Sequence, residues 1–153
     1  MQYSLFKADL LDHGGKLRLG QAKTRRPLSL SQCHHIVLKA KQHVHSFLPS
    51  SRRENIHHHI LRWSNRFQIQ VYARSVNSNH IHLLIRSNGR TELQNFLRVL
   101  PGQIAQSLQR EPGKFWDSLT YTRVVHWGRD YERVMKYIEL NTLEAAGLVQ
   151  YWR

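Results

Sequence analysis

Apolar and polar residues alternate along two neighbouring segments in the middle of the chain. In residues 67–74 one side of the alternation holds Phe67, Ile69, Val71 and Ala73. In residues 80–86 one side holds Ile81, Leu83 and Ile85, and the other holds His80, His82, Leu84 and Arg86. A period of two is typical of β-strands, and the polar stretch 77–79 indicates a tight turn. The two segments are therefore predicted to form an antiparallel hairpin.

Apolar residues at helical spacing predict three helices. The first two open at apparent capping boxes, Ser51-Arg52-Arg53-Glu54 and Thr91-Glu92-Leu93-Gln94. Pro101-Gly102 interrupts the second helix, so a kink or two consecutive helices are expected there. The third helix is predicted from about residue 129 to residue 146, with Gly147 as its C-terminal stop.

Two more strands, at residues 34–39 and 115–127, complete the pattern β-α-β-β-α-β-α. The first six elements match a ferredoxin-like α+β fold, an antiparallel sheet with two helices on one face. The last helix is an addition to that fold. Residues 1–30 are predicted to be a basic, partly flexible leader, and residues 31–153 a single domain. The leader is either a disordered, solvated segment or an arm that lies along a phosphate backbone.

The charge of the chain favours a polyanionic partner. Its 153 residues hold 23 Lys and Arg against 10 Asp and Glu, a net charge of +13. Nucleic acid is the first candidate and an anionic membrane surface the second. No apolar run approaches the length of a membrane span and no basic amphipathic helix stands out, so no membrane partner is expected. Cys33 is the only cysteine and is expected in the core. A single cysteine cannot form an internal disulfide, so a location in the reducing cytoplasm, associated with the nucleoid, is predicted.

The candidate chemistry follows from the two faces of the predicted sheet. If two helices cover Ile81 and its neighbours, His80 and His82 point to the other face, and only the last helix remains to cover them. Tyr137 and Asn141 are four residues apart on that helix and share one of its faces. Its apolar stripe, which packs it on the sheet, comprises Tyr131, Val134, Ile138 and Ala145.

Two histidines and an amide oxygen can hold a divalent ion that polarises a phosphate, and the Tyr137 hydroxyl can attack that phosphate. Tyrosine is largely protonated at neutral pH, so it needs help from the metal or from nearby cations. Imidazole suits Mn²⁺ or Zn²⁺ better than Mg²⁺. Taken alone, His80-Ile81-His82 is more often a chance pair, and 57–59 and 34–35 are expected to be solvated surface histidines. Only the combination with Tyr137 and Asn141 exceeds these alternatives.

Several segments of the chain resemble those of a known protein family. The segment from Asn79 to Ile85 is similar to the His-hydrophobic-His signature of the HUH endonucleases, and the segment from Tyr137 to Asn141 resembles the last helix of single-tyrosine transposases. Residues 13–29, 115–129 and 144–149 also look like parts of REP-associated tyrosine transposases of bacteria. The resemblance covers nearly the whole chain. One departure is Thr142, which follows Asn141 where the family commonly has proline.

The resemblance implies a ferredoxin-like transposase that cuts and rejoins single-stranded DNA, often beside a hairpin, through a 5′-phosphotyrosine. It implies Tyr137 as the nucleophile, His80, His82 and Asn141 as metal ligands, and Mg²⁺ or Mn²⁺ as the metal. A monomer is favoured over a homodimer. The cations predicted to contact DNA are Lys16, Arg18, Lys23, Arg25, Arg26, Arg86, Arg129, Arg133 and Lys136. The alternative is a non-catalytic, domesticated protein that recognises DNA hairpins, and a zinc protein of another class is a distant third.

Overall fold

The computed structural model describes residues 11–16, 20, 24–110 and 112–148. Within them the elements in chain order are β1 (Asp12–His13), β2 (Cys33–Lys39), α1 (Ser50–Arg66), β3 (Gln70–Val76), β4 (His80–Arg86), α2 (Arg90–Leu108), β5 (Tyr121–Val125) and α3 (Arg129–Ala145). The strands form one antiparallel sheet in the order β1-β5-β2-β4-β3. The predicted α+β, ferredoxin-like architecture with an added C-terminal helix is confirmed.

Helices α1 and α2 bury one face of the sheet. Ile81, Leu83 and Ile85 of β4 belong to this main core, as their alternation predicts. The helices contribute side chains at helical spacing, among them Ile56 and Ile60 of α1. No helix among the described residues is long and apolar enough to cross a membrane.

Helix α3 covers the other face of the sheet, as predicted. Its Val134 and Ile138 are buried against Leu84, Cys33 and Val125. Burial raises the pKa of the Cys33 thiol to about 11, although the charge of Arg86 opposes the shift. Cys33 is therefore a small core residue, protonated at neutral pH, in agreement with the sequence analysis.

The strand predicted to start at Phe67 starts later. Helix α1 continues to Arg66, and β3 begins at Gln70. A β-bulge then lies between Val71 and Ala73. A bulge adds one residue to a strand and shifts its alternation, so Val71 packs in the main core and Ala73 on the α3 side. The prediction that all four apolar residues share one face was wrong.

Three other predicted boundaries also differ. The apparent capping boxes do not cap, because the N-cap residues are Pro49 and Gly89 and neither helix start has a side-chain cap. Pro101 lies inside one continuous helix, so two consecutive helices do not form. The last predicted strand shortens to residues 121–125, with a single bridge from Trp116 to Ala40 outside it.

Part of the predicted leader lies on the sheet. Asp12 and His13 form the short strand β1 against β5, which the sequence did not predict. Gly14 has a φ of +75°, and a Cβ there would collide with the Thr120 carbonyl oxygen. Only glycine fits such a position without strain. Farther along, Arg26 donates hydrogen bonds to the Thr120 carbonyl and to Thr122 Oγ1.

Both ends of α3 are fixed by polar contacts. At the start, Asp130 accepts two hydrogen bonds from the Arg123 guanidinium, at 2.9 and 3.0 Å, and one from the His126 backbone N–H. At the end, Leu148 and Gly147 donate backbone hydrogen bonds to the carbonyls of residues 143 and 144, the Schellman pattern expected of glycine at that position. The helix continues past Thr142, as expected where proline is absent.

The Arg123–Asp130 pair makes the stability of the protein dependent on pH. Burial alone would raise the pKa of Asp130, but the hydrogen bonds and charge of Arg123 outweigh it and lower the pKa below 3.8. The pair therefore stabilises the fold above that pH, and its contribution is lost as pH falls through the lower, folded-state pKa. Asp130→Asn should lower the free energy of unfolding at pH 7 by about 1–2 kcal/mol, measured by urea denaturation.

The difference between Asp130→Asn and the wild type should shrink steadily below pH 3.8. Glu132→Gln is the matched control, because Glu132 is an exposed acid in the same first turn. A difference that is the same at pH 7 and pH 2, or that the control reproduces, would contradict the assigned role of the pair.

Candidate active site

The turn between β3 and β4 holds His80 at the start of its strand. The Asn77 backbone N–H donates to the His80 carbonyl at 2.9 Å. The turn carbonyls of Ser78 and Asn79 accept hydrogen bonds from the N–H groups of Phe47 and Ala40, each at 2.8 Å. These bonds tie the turn to the rest of the fold on both sides, so the histidine strand begins from a fixed point.

His80, His82 and Tyr137 come together as the sequence predicted. The rings of His80 and His82 have their centroids 4.9 Å apart and are nearly perpendicular. The Tyr137 ring stands perpendicular to His82 with centroids 5.3 Å apart. Tyr137 is half-buried, so the tyrosine of α3 packs on the strand that carries both histidines, in direct ring contact with His82.

Asn141 is placed by a short chain of hydrogen bonds that starts beside His82. Ser75, which pairs with His82 across the strands, donates to Asn77 Oδ1 at 3.2 Å. Asn77 Nδ2 donates in turn to the Asn141 carbonyl, also at 3.2 Å. All three residues are buried. Asn77 therefore fastens the end of α3 to the turn that precedes His80.

The Asn141 side chain has an acceptor oxygen with no partner among the described residues. Its Nδ2 donates to the Tyr137 carbonyl at 2.8 Å, which identifies Oδ1 as the other amide atom. Oδ1 is buried and accepts no hydrogen bond, and such an atom is costly unless something binds it. An amide oxygen is a ligand that hard divalent cations accept. The donor set thus fits the predicted metal, although the described residues contain no cluster of three or more His, Cys, Asp or Glu.

His35 is a further member of the site. Its ring stacks on His82 with centroids 5.2 Å apart, and its Nε2 lies 3.0 Å from His82 Nδ1 in a hydrogen bond. It also meets Tyr137 edge-on at 6.3 Å. Burial and then the charge of Arg123 lower the pKa of His35 to about 4, against the opposing effect of Asp130.

A neutral His35 can set the tautomer of His82. A neutral imidazole has one N–H and one acceptor nitrogen, so one of the two facing nitrogens donates and the other accepts. A metal held by His82 Nε2 requires the proton of His82 on Nδ1, where it is donated to His35 Nε2. Residues of this kind orient metal-binding histidines in other proteins.

A basic cleft lies beside His80. It has a volume of about 530 Å³, and its lining comprises Lys16, Lys39, Ala40, Lys41, Gln42, His43, Asn79 and Asp117. Lys39 pairs with His80 across the strands. Residues that lie directly opposite each other point to the same face of the sheet, so Lys39 and His80 share a face. Lys16 is the predicted DNA contact that lies in this cleft. Lysine side chains around a cleft are suited to contact with a nucleic acid backbone.

The other predicted DNA contacts are spread more widely. Arg86 ends β4, six residues from His80, which is roughly 20 Å along a strand. Arg129, Arg133 and Lys136 are exposed along α3. Arg25 and Arg26 lie against α2 on the opposite face of the sheet. Arg18 and Lys23 lie outside the described residues.

Sequence reasoning missed His35, Asn77 and Lys39, and it misjudged four histidines. His34 is fully buried and accepts the Ser29 N–H with its Nε2, and His35 is half-buried. In the triple-histidine run, His59 is buried and His57 half-buried, whereas His58 is exposed as expected. The alternation of β2, extended from Ile36, would have put His35 on the His82 face, but pairing with His82 depends on strand register.

Comparison with known proteins identifies a family for this chain. The family model described as "Transposase IS200 like" matches residues 29–141, which include His80, His82, Tyr137 and Asn141. No match is found among curated protein sequences.

Comparison with solved structures gives two matches. A REP-associated tyrosine transposase bound to a REP hairpin superimposes with a TM-score of 0.68 at 15% identity, over 84% of this chain and 76% of that chain. A protein described as a transposase, from Deinococcus radiodurans R1, gives a TM-score of 0.49 at 15% identity, over 79% of this chain and 98% of that one.

The hydrogen bond from His82 to His35 predicts that His35 affects metal binding without touching the metal. His35→Leu removes the acceptor and should weaken Mn²⁺ binding by about 10- to 100-fold, measured by isothermal titration calorimetry. His35→Gln keeps an acceptor and should lose less. His58→Leu, at an exposed position of α1, is the control and should bind Mn²⁺ like the wild type. Equal affinity in His35→Leu and His58→Leu would rule out this role.

Proposed function

Because the chain belongs to the IS200-like transposase family, we propose that it cleaves and rejoins single-stranded DNA through a covalent bond to Tyr137. The family makes it an enzyme that acts on DNA. The observation that supports the specific chemistry is the placement of Tyr137, perpendicular to His82 and 5.3 Å from it, above the strand that bears both histidines. The other tyrosine of α3 among the described residues, Tyr131, packs against Tyr72 instead. Tyr121 meets His35 edge-on but belongs to β5.

The proposed reaction is a transesterification at phosphorus. The Tyr137 oxygen attacks the scissile phosphate as its phenolic proton is lost, and the bond from phosphorus to the 3′ oxygen breaks. The departing 3′ oxygen takes up a proton, which leaves a 5′-phosphotyrosine and a free 3′-OH. Attack of a 3′-OH on the phosphotyrosine reverses these steps and joins strands. The phosphodiester energy is retained in the protein–DNA bond, so no nucleoside triphosphate is needed to reseal the strand.

The residues that would hold Mg²⁺ or Mn²⁺ are His80, His82 and Asn141. The buried Oδ1 of Asn141, which has no partner among the described residues, is the observation that supports this set. When bound, the ion supplies a Lewis acid that polarises the phosphate and stabilises negative charge at phosphorus. His35 would fix the tautomer of His82 through their hydrogen bond. Asn77 fixes the end of α3 by its hydrogen bond to the Asn141 carbonyl.

The proposed substrate is a single strand that carries a hairpin. The fold relative with a TM-score of 0.68 is bound to a REP hairpin, and the lysine-lined cleft beside His80 suits a DNA backbone. As part of the same proposal, the protein acts as a monomer on chromosomal DNA in the cytoplasm.

Tyr137→Phe tests the proposal directly. In Mn²⁺ with a hairpin-flanked single strand, the wild type should form a covalent protein–DNA adduct on a denaturing gel, and Tyr137→Phe should form none because phenylalanine has no attacking oxygen. Its affinity for the same DNA should change little. Tyr131→Phe is the matched control, since Tyr131 lies half-buried on the same helix against Tyr72 and Trp127, and it should retain the adduct.

An adduct that persists in Tyr137→Phe would refute the assigned nucleophile. A wild type that binds the hairpin tightly, forms no adduct and needs no metal would instead establish the non-catalytic hairpin-binding alternative.

A further inference from the structure

A second concentration of positive charge lies between the leader and α2. Arg25 and Arg26 of the leader meet Arg90 and Arg98 of α2 around one cavity of about 280 Å³. Leu28, Gln94 and Leu97 complete its lining. This arginine cavity is on the face of the sheet that α2 covers, opposite to Tyr137, so it is separate from the candidate active site.

The cavity is held in place by contacts with the body of the fold. Arg26 donates through Nη1 to the Thr120 carbonyl at 2.8 Å and to Thr122 Oγ1 at 2.7 Å. Both bonds use one nitrogen, so the remaining N–H groups of its guanidinium have no hydrogen-bond partner among the described residues. Leu28 packs against the main core beside Leu97. The leader backbone that carries Arg25 and Arg26 therefore has a fixed position against α2.

The four guanidinium groups have no acidic partner in the described part of the chain. The ion pair found there joins Arg123 to Asp130, at the start of α3. The acid nearest to the start of α2, Glu92, lies against Gly89 and does not line the cavity. Like charges gathered around one space repel each other, and a bound anion would relieve that repulsion.

The position of Arg90 is unfavourable for the helix by itself. Arg90 is the first residue of α2, where the helix dipole is positive and a cation destabilises the helix by about 0.3–1 kcal/mol. Arginine pairs with phosphate oxygens through two parallel hydrogen bonds. An arginine at position 90 therefore destabilises the start of α2 when no ligand is present, whereas it would stabilise a phosphate bound there.

We propose, on the basis of the function proposed above, that the arginine cavity binds a backbone phosphate of DNA that flanks the cleaved strand. Its lining favours a phosphate group over a nucleotide base, because four arginines surround it and no aromatic side chain is among its lining residues. Because the cavity and Tyr137 are on opposite faces of the sheet, one DNA molecule reaches both by passing around a sheet edge. A folded hairpin with a single-stranded tail has a shape that can do this, with the tail at Tyr137 and the stem at the cavity.

The test compares two double variants that remove the same charge. Arg90→Gln with Arg98→Gln alters the cavity. Arg62→Gln with Arg66→Gln is the matched control on α1, where each arginine lies over the ring of its neighbour, Trp63 or Phe67. Affinity is measured by fluorescence anisotropy for a labelled hairpin with a single-stranded tail and for the tail alone, over a series of salt concentrations.

The cavity variant should bind the hairpin with its tail roughly tenfold more weakly and should reduce the slope of log affinity against log salt by about 2, as expected for two lost phosphate contacts. Its affinity for the tail alone should match that of the control. Its thermal stability should equal or exceed that of the wild type, because Arg90 disfavours the helix start. Equal losses in both double variants, or equal losses for both DNA probes, would overturn the inference.

Two further outcomes are distinguishable. If inorganic phosphate raises the melting temperature of the wild type but not of the cavity variant, while hairpin affinity is unchanged, the cavity takes free phosphate and the DNA inference fails. The covalent adduct at saturating DNA reports on the proposed function separately. An adduct with unchanged hairpin binding in the cavity variant refutes only this inference, and weakened binding without any wild-type adduct refutes only the proposed chemistry.

Discussion

The packing of α3 on the second face of the sheet is the interaction on which the candidate site depends. Val134 and Ile138 bury against Leu84 and its neighbours, and burial of each such side chain contributes about 1.5–3 kcal/mol. Apolar packing alone would allow the helix to slide or rotate. The Arg123–Asp130 pair fixes its first turn, and the hydrogen bond from Asn77 to the Asn141 carbonyl fixes its end. The position and angle of α3 on the sheet are thus determined by its apolar packing together with these two polar contacts.

The features that sequence could predict are those encoded by local periodicity. The alternation of β4 correctly separates Ile81 and Leu83 from His80 and His82, and the remaining helix correctly brings Tyr137 to the histidines. The bulge after Val71 was not predictable, because a bulge arises from pairing with β4 rather than from the strand's own residues. The helix starts were misjudged because Ser and Thr near a helix start resemble caps even when the chain turns at Pro49 or Gly89 instead.

His35 shows the limit of the same approach at the site. The alternation of β2 can give its face, but the hydrogen bond to His82 needs β2 and β4 to be neighbours in one particular register. The leader is a similar case. Its glycines and arginines look like a flexible basic tail, yet β1 pairs with β5 and Arg26 bonds to Thr120 and Thr122. Both contacts join residues far apart in sequence, which no local pattern specifies.

Tyr137 and Asn141 are one helical turn apart on α3, and the Asn141 amide bonds to the Tyr137 carbonyl. A helical turn is stiff, so the backbone positions that carry these two side chains move together. Any displacement of α3 from the sheet would withdraw the nucleophile and the proposed third ligand together. By thermodynamic reciprocity, whatever favours the docked helix would strengthen metal binding, and metal binding would favour the docked helix to the same extent. The site would therefore assemble as a whole or not at all. Such coupling would keep Tyr137 from acting on DNA when the metal or the docked helix is absent.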